Sequence, residues 1–294
     1  ESSVLALQIL IDGFAISALY GLGAVGFTLM FGVCGVLNLA HGGIMVVAAL
    51  VGWWMAANYG AGPFGGAAAG VAAGVVAAFV TYFAVVRPIQ RSRAIPPEEE
   101  DIFILTSTLL WGVMLQVGLD WVFSNNPVTM QPLWPGVLSI GGVRTPRNEL
   151  VIAAVCWGLI LLLTLLVNRT RLGKQLLAAS INPRALTLLG FELSHIYLWV
   201  WAIYGLLAGV AGVLLASFLG ASADNSGALT ASAFTIVILG GLGSVPGSLI
   251  AAYIVGYAET LTAYLVAPTL RPIPALVILI LVLYARPQGI LGRR

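Results

Sequence analysis

Three carboxylates, Asp12, Asp120 and Glu259, stand in otherwise apolar sequence. Charge at membrane depth is costly, so such a group either meets a polar partner or lines a water-filled path. Asp12 and Asp120 lie near the ends of their apolar runs, where that cost fades. Glu259 sits inside the run Gly247–Leu265, with no charged residue within ten positions along the chain. A structural pair between helices and a path-lining group both remain open for it. No string of further carboxylates accompanies it, which weakens a proton-pump reading.

A second polar group interrupts the apolar stretch at Gly32–Gly43. Its glycines weaken a helix there, and Asn38 and His41 bring hydrogen-bonding groups to membrane depth or near its edge. Irregular backbone is tolerated in a membrane where protein or a water-filled cavity satisfies it. The break is therefore either an element of a substrate path or a cap and turn at the cytoplasmic surface, with His41 bonded to a nearby carbonyl. His195 lies beside Glu192 just before an apolar run and reads as an interfacial residue. No Ser/His/Asp arrangement for catalysis is apparent. Cys34 and Cys156 have neither metal-ligand spacing nor a redox partner, and read as small packing residues.

The third feature is the basic segment from Arg169 to Gly190. Leu172, Leu176, Leu177 and Ile181 recur at helical spacing. Asn182 suits an N-cap, Pro183 the first helical turn, and Gly190 the position after a C-cap. A short helix, Pro183–Leu189, thus follows an amphipathic one. The leucines need a surface, either the lipid interface or a cytoplasmic partner. The run Leu239–Gly247 is as glycine-rich as a phosphate loop but lacks the Gly-Lys-Ser/Thr ending and a preceding strand pattern. It reads as a tight turn between two short helices, with Gly243 and Gly247 allowing close approach.

The elements that position these groups follow from composition. The chain has 294 residues, of which 60% are hydrophobic and 8% charged, and its mean hydropathy is +1.02. A soluble domain carries about 25% charged residues. Lipid is the solvent that suits such a chain. Thirteen basic residues are too few and too dispersed for a nucleic-acid surface. The N-terminal stretch lacks a basic n-region and a cleavage site, so it does not read as a cleaved leader. Apolar runs extend over Val4–Val36, Ile44–Asn58, Gly65–Val86, Ile102–Phe123, Leu150–Val167, His195–Leu219, Leu229–Leu239, Gly247–Leu265 and Ile273–Tyr284. Most approach the roughly 20 residues that a helical span needs. The last group includes two shorter runs, which imply a thinned bilayer or burial behind neighbours. Tyr59–Pro63 reads as a turn, Arg87–Asp101 as an aqueous loop, and Ser124–Glu149 as a polar loop too irregular to cross lipid.

Three basic clusters stand out: Arg87/Arg91/Arg93, Arg169/Arg171/Lys174/Arg184, and Arg286/Arg293/Arg294. Even numbers of runs separate them, so all fall on one side, which the positive-inside rule makes cytoplasmic. The expectation is one all-α domain over residues 1–294. It is a polytopic transmembrane bundle of about 8–10 spans with a cytoplasmic C-terminus. Nine spans result if Val4–Val36 crosses once, ten if it forms two short helices. The pentapeptide Ala18–Leu22 echoes Ala202–Leu206, a faint internal repetition that chance explains equally well.

Gly26–Val33 followed by Val36-Leu37-Asn38-Leu39-Ala40-His41-Gly42 resembles the N-terminal signature of branched-chain amino acid-type ABC permeases. Matching stretches follow in order: Arg171-Leu172-Gly173-Lys174 with Asn182-Pro183 and Leu188-Leu189-Gly190, then Leu239–Ser244 with Gly247, then Arg286-Pro287-Gln288-Gly289. The likeness implies the membrane subunit of an importer in the bacterial inner membrane. Its implied partners are a second homologous permease, two cytoplasmic ABC ATPases that carry ATP and Mg, and a periplasmic substrate-binding protein. This chain is then not an enzyme and binds no cofactor itself. Residues 169–192 correspond to the ATPase-coupling segment, with Arg171, Lys174, Asn182, Pro183, Arg184, Leu188 and Gly190 as its candidate residues. Thr28, Asn38, His41, Gly42 and Glu259 are candidates for the substrate pathway, and residues 124–149 form the extracytoplasmic loop. The expected solute is a branched-chain or other amino acid. Relatives for urea, short amides or aromatic acids share these motifs, and an ion-coupled carrier or passive channel is the alternative from another class. Gly43 departs from the family pattern, which often places an acidic residue there.

Overall fold

The computed structural model describes the whole chain except residues 1, 93, 97, 125, 141, 142, 287, 293 and 294. Arg93, Arg293 and Arg294 of the basic clusters and Pro287 of the last motif lie outside the described residues. The first apolar run is one helix, α1 (Ser2–Cys34, 33 residues), unbroken at Gly21, Gly23 and Gly26. Neighbours stabilise it along its length: α1 is the centre of the bundle and its side chains from Ala15 to Met30 are mostly buried. Around it stand α2 (His41–Asn58), α3 (Gly62–Thr81), α5 (Glu100–Phe123), α6 (Arg147–Arg169), α9 (Leu193–Phe218), α10 (Asn225–Gly240), α11 (Val245–Leu265) and α12 (Ile273–Ala285). Between α3 and α5 runs a π-helical segment, Tyr82–Val86, continued by the short α4 (Arg87–Arg91).

Among the described residues, eight helices are long and apolar enough to cross a membrane, and α10 is a shorter apolar one. That agrees with the reading in which the first run crosses once. The tightest packing is between α2, α3 and α9, where small residues let backbones touch; a Cβ on Gly74 would lie 2.7 Å from Gly209 Cα.

Several boundaries differ from the sequence reading. The α3 helix continues through the π segment to Arg91, so the expected loop Arg87–Asp101 shrinks to 92–99. The last helices begin earlier: α10 at Asn225 and α11 at Val245, where the Ser244 side chain accepts from Gly247 N and Pro246 occupies the first turn. The loop after α5 is less irregular than expected. It holds an antiparallel hairpin, β1 (Val137–Ile140) and β2 (Val143–Pro146), in the register Ile140↔Val143. Of the two short runs, α10 is buried behind its neighbours, whereas α12 stays on the surface.

The two ends of the bundle can be told apart. α6 leads directly into α7 (Arg171–Ile181) and α8 (Pro183–Leu188), from which α9 departs. At about 1.5 Å per residue, the 26 residues of α9 carry its far end about 39 Å away. Beside that far end lies the hairpin loop, joined to it by the paired backbone of Val128 and Ala221. At the α7–α8 end, Gly243 sits against Gly32 of α1. There too the C-terminal tail returns, with Ile290 N donating to Leu239 O at 2.7 Å. The described members of the three basic clusters therefore share one end of the molecule.

Candidate functional site

The break between α1 and α2 gathers several polar side chains. α1 stops at Cys34, Gly35 takes a positive φ of 69°, and residues 35–40 run back alongside α5 and α9. His41 then starts α2 roughly halfway up the bundle. Its partner Tyr204 lies 11 residues into α9, and Ala40 touches Gly112 in the middle of α5.

Asn38 and His41 are fully buried. Asn38 Nδ2 donates to the Tyr204 hydroxyl at 3.1 Å, and Asn38 Oδ1 accepts from Ala40 N at 3.0 Å. The Tyr204 hydroxyl lies 2.9 Å from His41 Nδ1. The hydroxyl thus bridges the Asn38 amide and the imidazole, as donor or acceptor to Nδ1 according to the tautomer. The Phe27 ring stacks on the imidazole at 5.3 Å. Leu39 N donates to Thr108 Oγ1 and Gly42 N to Thr230 Oγ1, at 3.1 and 2.9 Å. These bonds satisfy the non-helical backbone at depth. His41 is thus held by a hydroxyl of another helix at mid-height, and the surface cap with a carbonyl partner is corrected. Tyr204→Phe removes one hydroxyl and strands two buried polar groups. It is expected to cost about 1–3 kcal/mol, seen as a lower unfolding midpoint of the purified chain. An unchanged midpoint would mean that the Tyr204 hydroxyl contributes nothing to holding the break.

Glu259 is 1% exposed. Its Oε2 accepts from Tyr20 at 2.6 Å and its Oε1 from Ser232 Oγ at 2.9 Å. It also lines a cavity of about 320 Å³ at the end of the bundle away from α7 and α8, together with Tyr20, Ser232, Asn225, Thr269 and Arg271. A separate pinhole of about 10 Å³ lies between Tyr20 and Ser232 on one side and Gly23 and His41 on the other. That is about the least volume that holds one water. Here His41 Nε2 is buried without a partner. Thr28 does not join this seam; it shares a 2.6 Å hydrogen bond with Ser248 and borders a separate apolar cavity near α7. Of the other carboxylates, Asp12 accepts from the Tyr264 hydroxyl, and Asp120 is exposed.

The coupling candidates form a second, separate unit. Thr170 caps α7 by accepting from Gly173 N, and Asn182 caps α8 by accepting from Ala185 N at 3.0 Å. Gly190 ends it at φ 85°, where a side chain is disfavoured. Leu176 and Leu186 anchor the two helices against the bundle, at 1% and 5% exposure. Arg171, Lys174, Arg184 and Leu188 point outward. His195 and Glu192 make an exposed pair at 2.9 Å.

Residues 9–285 match the family described as branched-chain amino acid transport system / permease component. The chain belongs to that family. It is 29% identical to the high-affinity branched-chain amino acid transport system permease protein LivH of Escherichia coli K12, over 100% of this chain and 97% of that one. It is also 29% identical to BraD of Pseudomonas aeruginosa, over 98% and 96%. The probable LivH of Methanocaldococcus jannaschii is 27% identical, over 92% and 87%. As a permease component, the chain is a multi-pass transport subunit, and its family is one of permeases rather than of enzymes.

Sequence reasoning missed the groups that hold the polar residues of this permease, above all Tyr20, Tyr204 and Ser232, and Arg271 in the wall of the Glu259 cavity. One signal was available. Tyr20 and Tyr204 are the tyrosines of the two echoing pentapeptides, and each bonds a polar residue of the candidate pathway.

Proposed function

We propose that the chain is the membrane-spanning permease subunit of an ABC importer for branched-chain amino acids in a bacterial inner membrane. The end-to-end likeness to LivH and BraD carries this reading. On it, the end bearing the basic clusters, α7, α8 and the C-terminus is cytoplasmic. One of two ATPases docks on residues 169–192, and the pair supplies all ATP and Mg chemistry. A second, homologous permease completes the path, and a periplasmic binding protein delivers substrate to the opposite end, near the 124–149 loop.

The anchored underside and bare outer side of α7 and α8 suit a docking element: closure of the ATPases moves it, and it passes the motion to α6 and α9. Thr28, Asn38, His41, Gly42 and Glu259 are proposed to belong to the moving centre of the bundle. Co-expression with neighbouring genes, followed by mild detergent purification and reconstitution, tests the assignment. Recovery of two ATPases and a second permease, with ATP-driven L-leucine uptake raised by the loaded binding protein, is the expected result. Uptake by this chain alone under an ion gradient would replace the importer with a secondary carrier.

A further inference from the structure

We propose that the cavity shared by Glu259 and Arg271 is a binding waypoint for a zwitterionic amino acid, its ammonium on Glu259 and its carboxylate on Arg271. The inference takes its substrate class from the permease reading above. Both charged groups line one space of about 320 Å³, within the range of small-molecule sites, about 300–1,000 Å³. Arg271 is close enough to influence Glu259 and Tyr20 electrostatically, yet the two charges do not meet. Among the described residues the ion pair present is His195 with Glu192, and Arg271 Nε is buried with no hydrogen-bond partner.

A purely structural pair would close, because a carboxylate held as deep as Glu259, 1% exposed, is costly without its countercharge. Opposite charges held apart across a cavity match a ligand that carries both. Tyr20 and Ser232 each donate to one carboxylate oxygen, fixing the Glu259 side chain and leaving acceptor capacity on both oxygens for an ammonium. A guanidinium offers its planar fork to a carboxylate. Leu215, Leu219, Leu229 and Pro268 supply apolar wall for an aliphatic side chain. The cavity lies at the end away from the coupling helices, where an imported solute arrives first.

The test uses the full chain, reconstituted with its co-purifying partners, carrying Thr269→Cys at the cavity and Cys34→Ala and Cys156→Ala elsewhere. A membrane-impermeant thiol reagent is applied from the outer face. L-leucine at ten times its half-protecting concentration should slow labelling about tenfold. At equal concentration L-leucinamide, which lacks the carboxylate, and 4-methylpentanoate, which lacks the ammonium, should give little protection. This first readout keeps Glu259 and Arg271 intact, so it does not depend on a variant folding. Arg271→Gln should then make leucine no better than leucinamide, and Glu259→Gln no better than 4-methylpentanoate. Equal protection by all three compounds, or none by leucine while ATP-driven leucine uptake persists, overturns the waypoint and leaves the importer standing. Selective protection without ATP-driven uptake supports the waypoint and removes the importer.

Discussion

Leu188→Asp is expected to reduce ATPase recovery and ATP-driven uptake roughly 30-fold, the effect of losing about 2 kcal/mol at a docking hot spot. Leu188 is 88% exposed and Leu189 beside it 74%, on a helix whose underside is fixed by Leu186 at 5%. Two adjacent bare leucines at the end of an anchored six-residue helix, Leu188 its last residue and Leu189 its C-cap, gain little from water. Burying one in a partner groove is worth about 1.5–3 kcal/mol, and an aspartate there loses that gain and takes a charge out of water. Because the side chain touches little within the chain, the melting profile and elution of the isolated permease should match the parent protein. Arg184→Glu should act in the same direction through charge. Undiminished ATPase recovery with both variants would remove residues 169–192 from the docking surface.

Gly42→Ala is expected to destabilise the permease by about 3 kcal/mol, the upper part of the range for overpacking. A Cβ at residue 42 would overlap the Ser226 carbonyl oxygen and would lie 2.7 Å from Thr230 Oγ1 and 2.8 Å from Thr230 N. Two of these atoms are backbone at the first turns of α10, so no rotamer change relieves the clash. The hydrogen bond from Gly42 N to Thr230 Oγ1 would be lost with the forced separation. Thermal unfolding in detergent measures the loss. By contrast a Cβ on Gly43 would lie 3.3 Å from the flexible side chain of Leu115 and at ordinary contact, 3.8 Å, from the Gly112 carbonyl oxygen, so Gly43→Ala should be mild. Equal stability of the two variants would mean that α2 and α10 can separate at this point without cost.

Local signals were legible and distant ones were not. The Asn182 cap, Pro183 and Gly190 delimit α8 because each acts within a turn of its own position, and the structure repeats that boundary to within a residue. The one-span reading of the first run needed neighbours to decide it, since three glycines alone would have allowed a break. The hairpin was readable in principle: two glycines between short β-prone runs are a recognised turn signal. Glu259 shows the limit. The sequence reading left a pair and a path open, and the structure supplies elements of both, hydroxyl partners and a cavity wall. Its bond to Tyr20 spans 239 positions and that of His41 to Tyr204 spans 163. No periodicity encodes such pairings. Arg271 fell among turn residues in the sequence and entered the site only through the folding back of the segment after α11.

The π segment at Tyr82–Val86 has a consequence for insertions and deletions. Along the helix from Gly62 to Arg91, Gly66, Gly70, Gly74, Ala78, Tyr82 and Val86 are all buried, a strict spacing of four. An α-helix turns about 100° per residue, so each such step over-rotates by about 40° and a long row would wind off the bundle. The wider π turns take back part of that drift near the basic end, at the cost of one residue more than an α-helix needs for the same height. A gain or loss of one residue there leaves the small-residue face above it and Arg87 below it in place. Elsewhere along the same helix, a one-residue change would rotate every glycine contact away from α2 and α9. Among homologous chains, length variation within this helix should therefore gather at this segment.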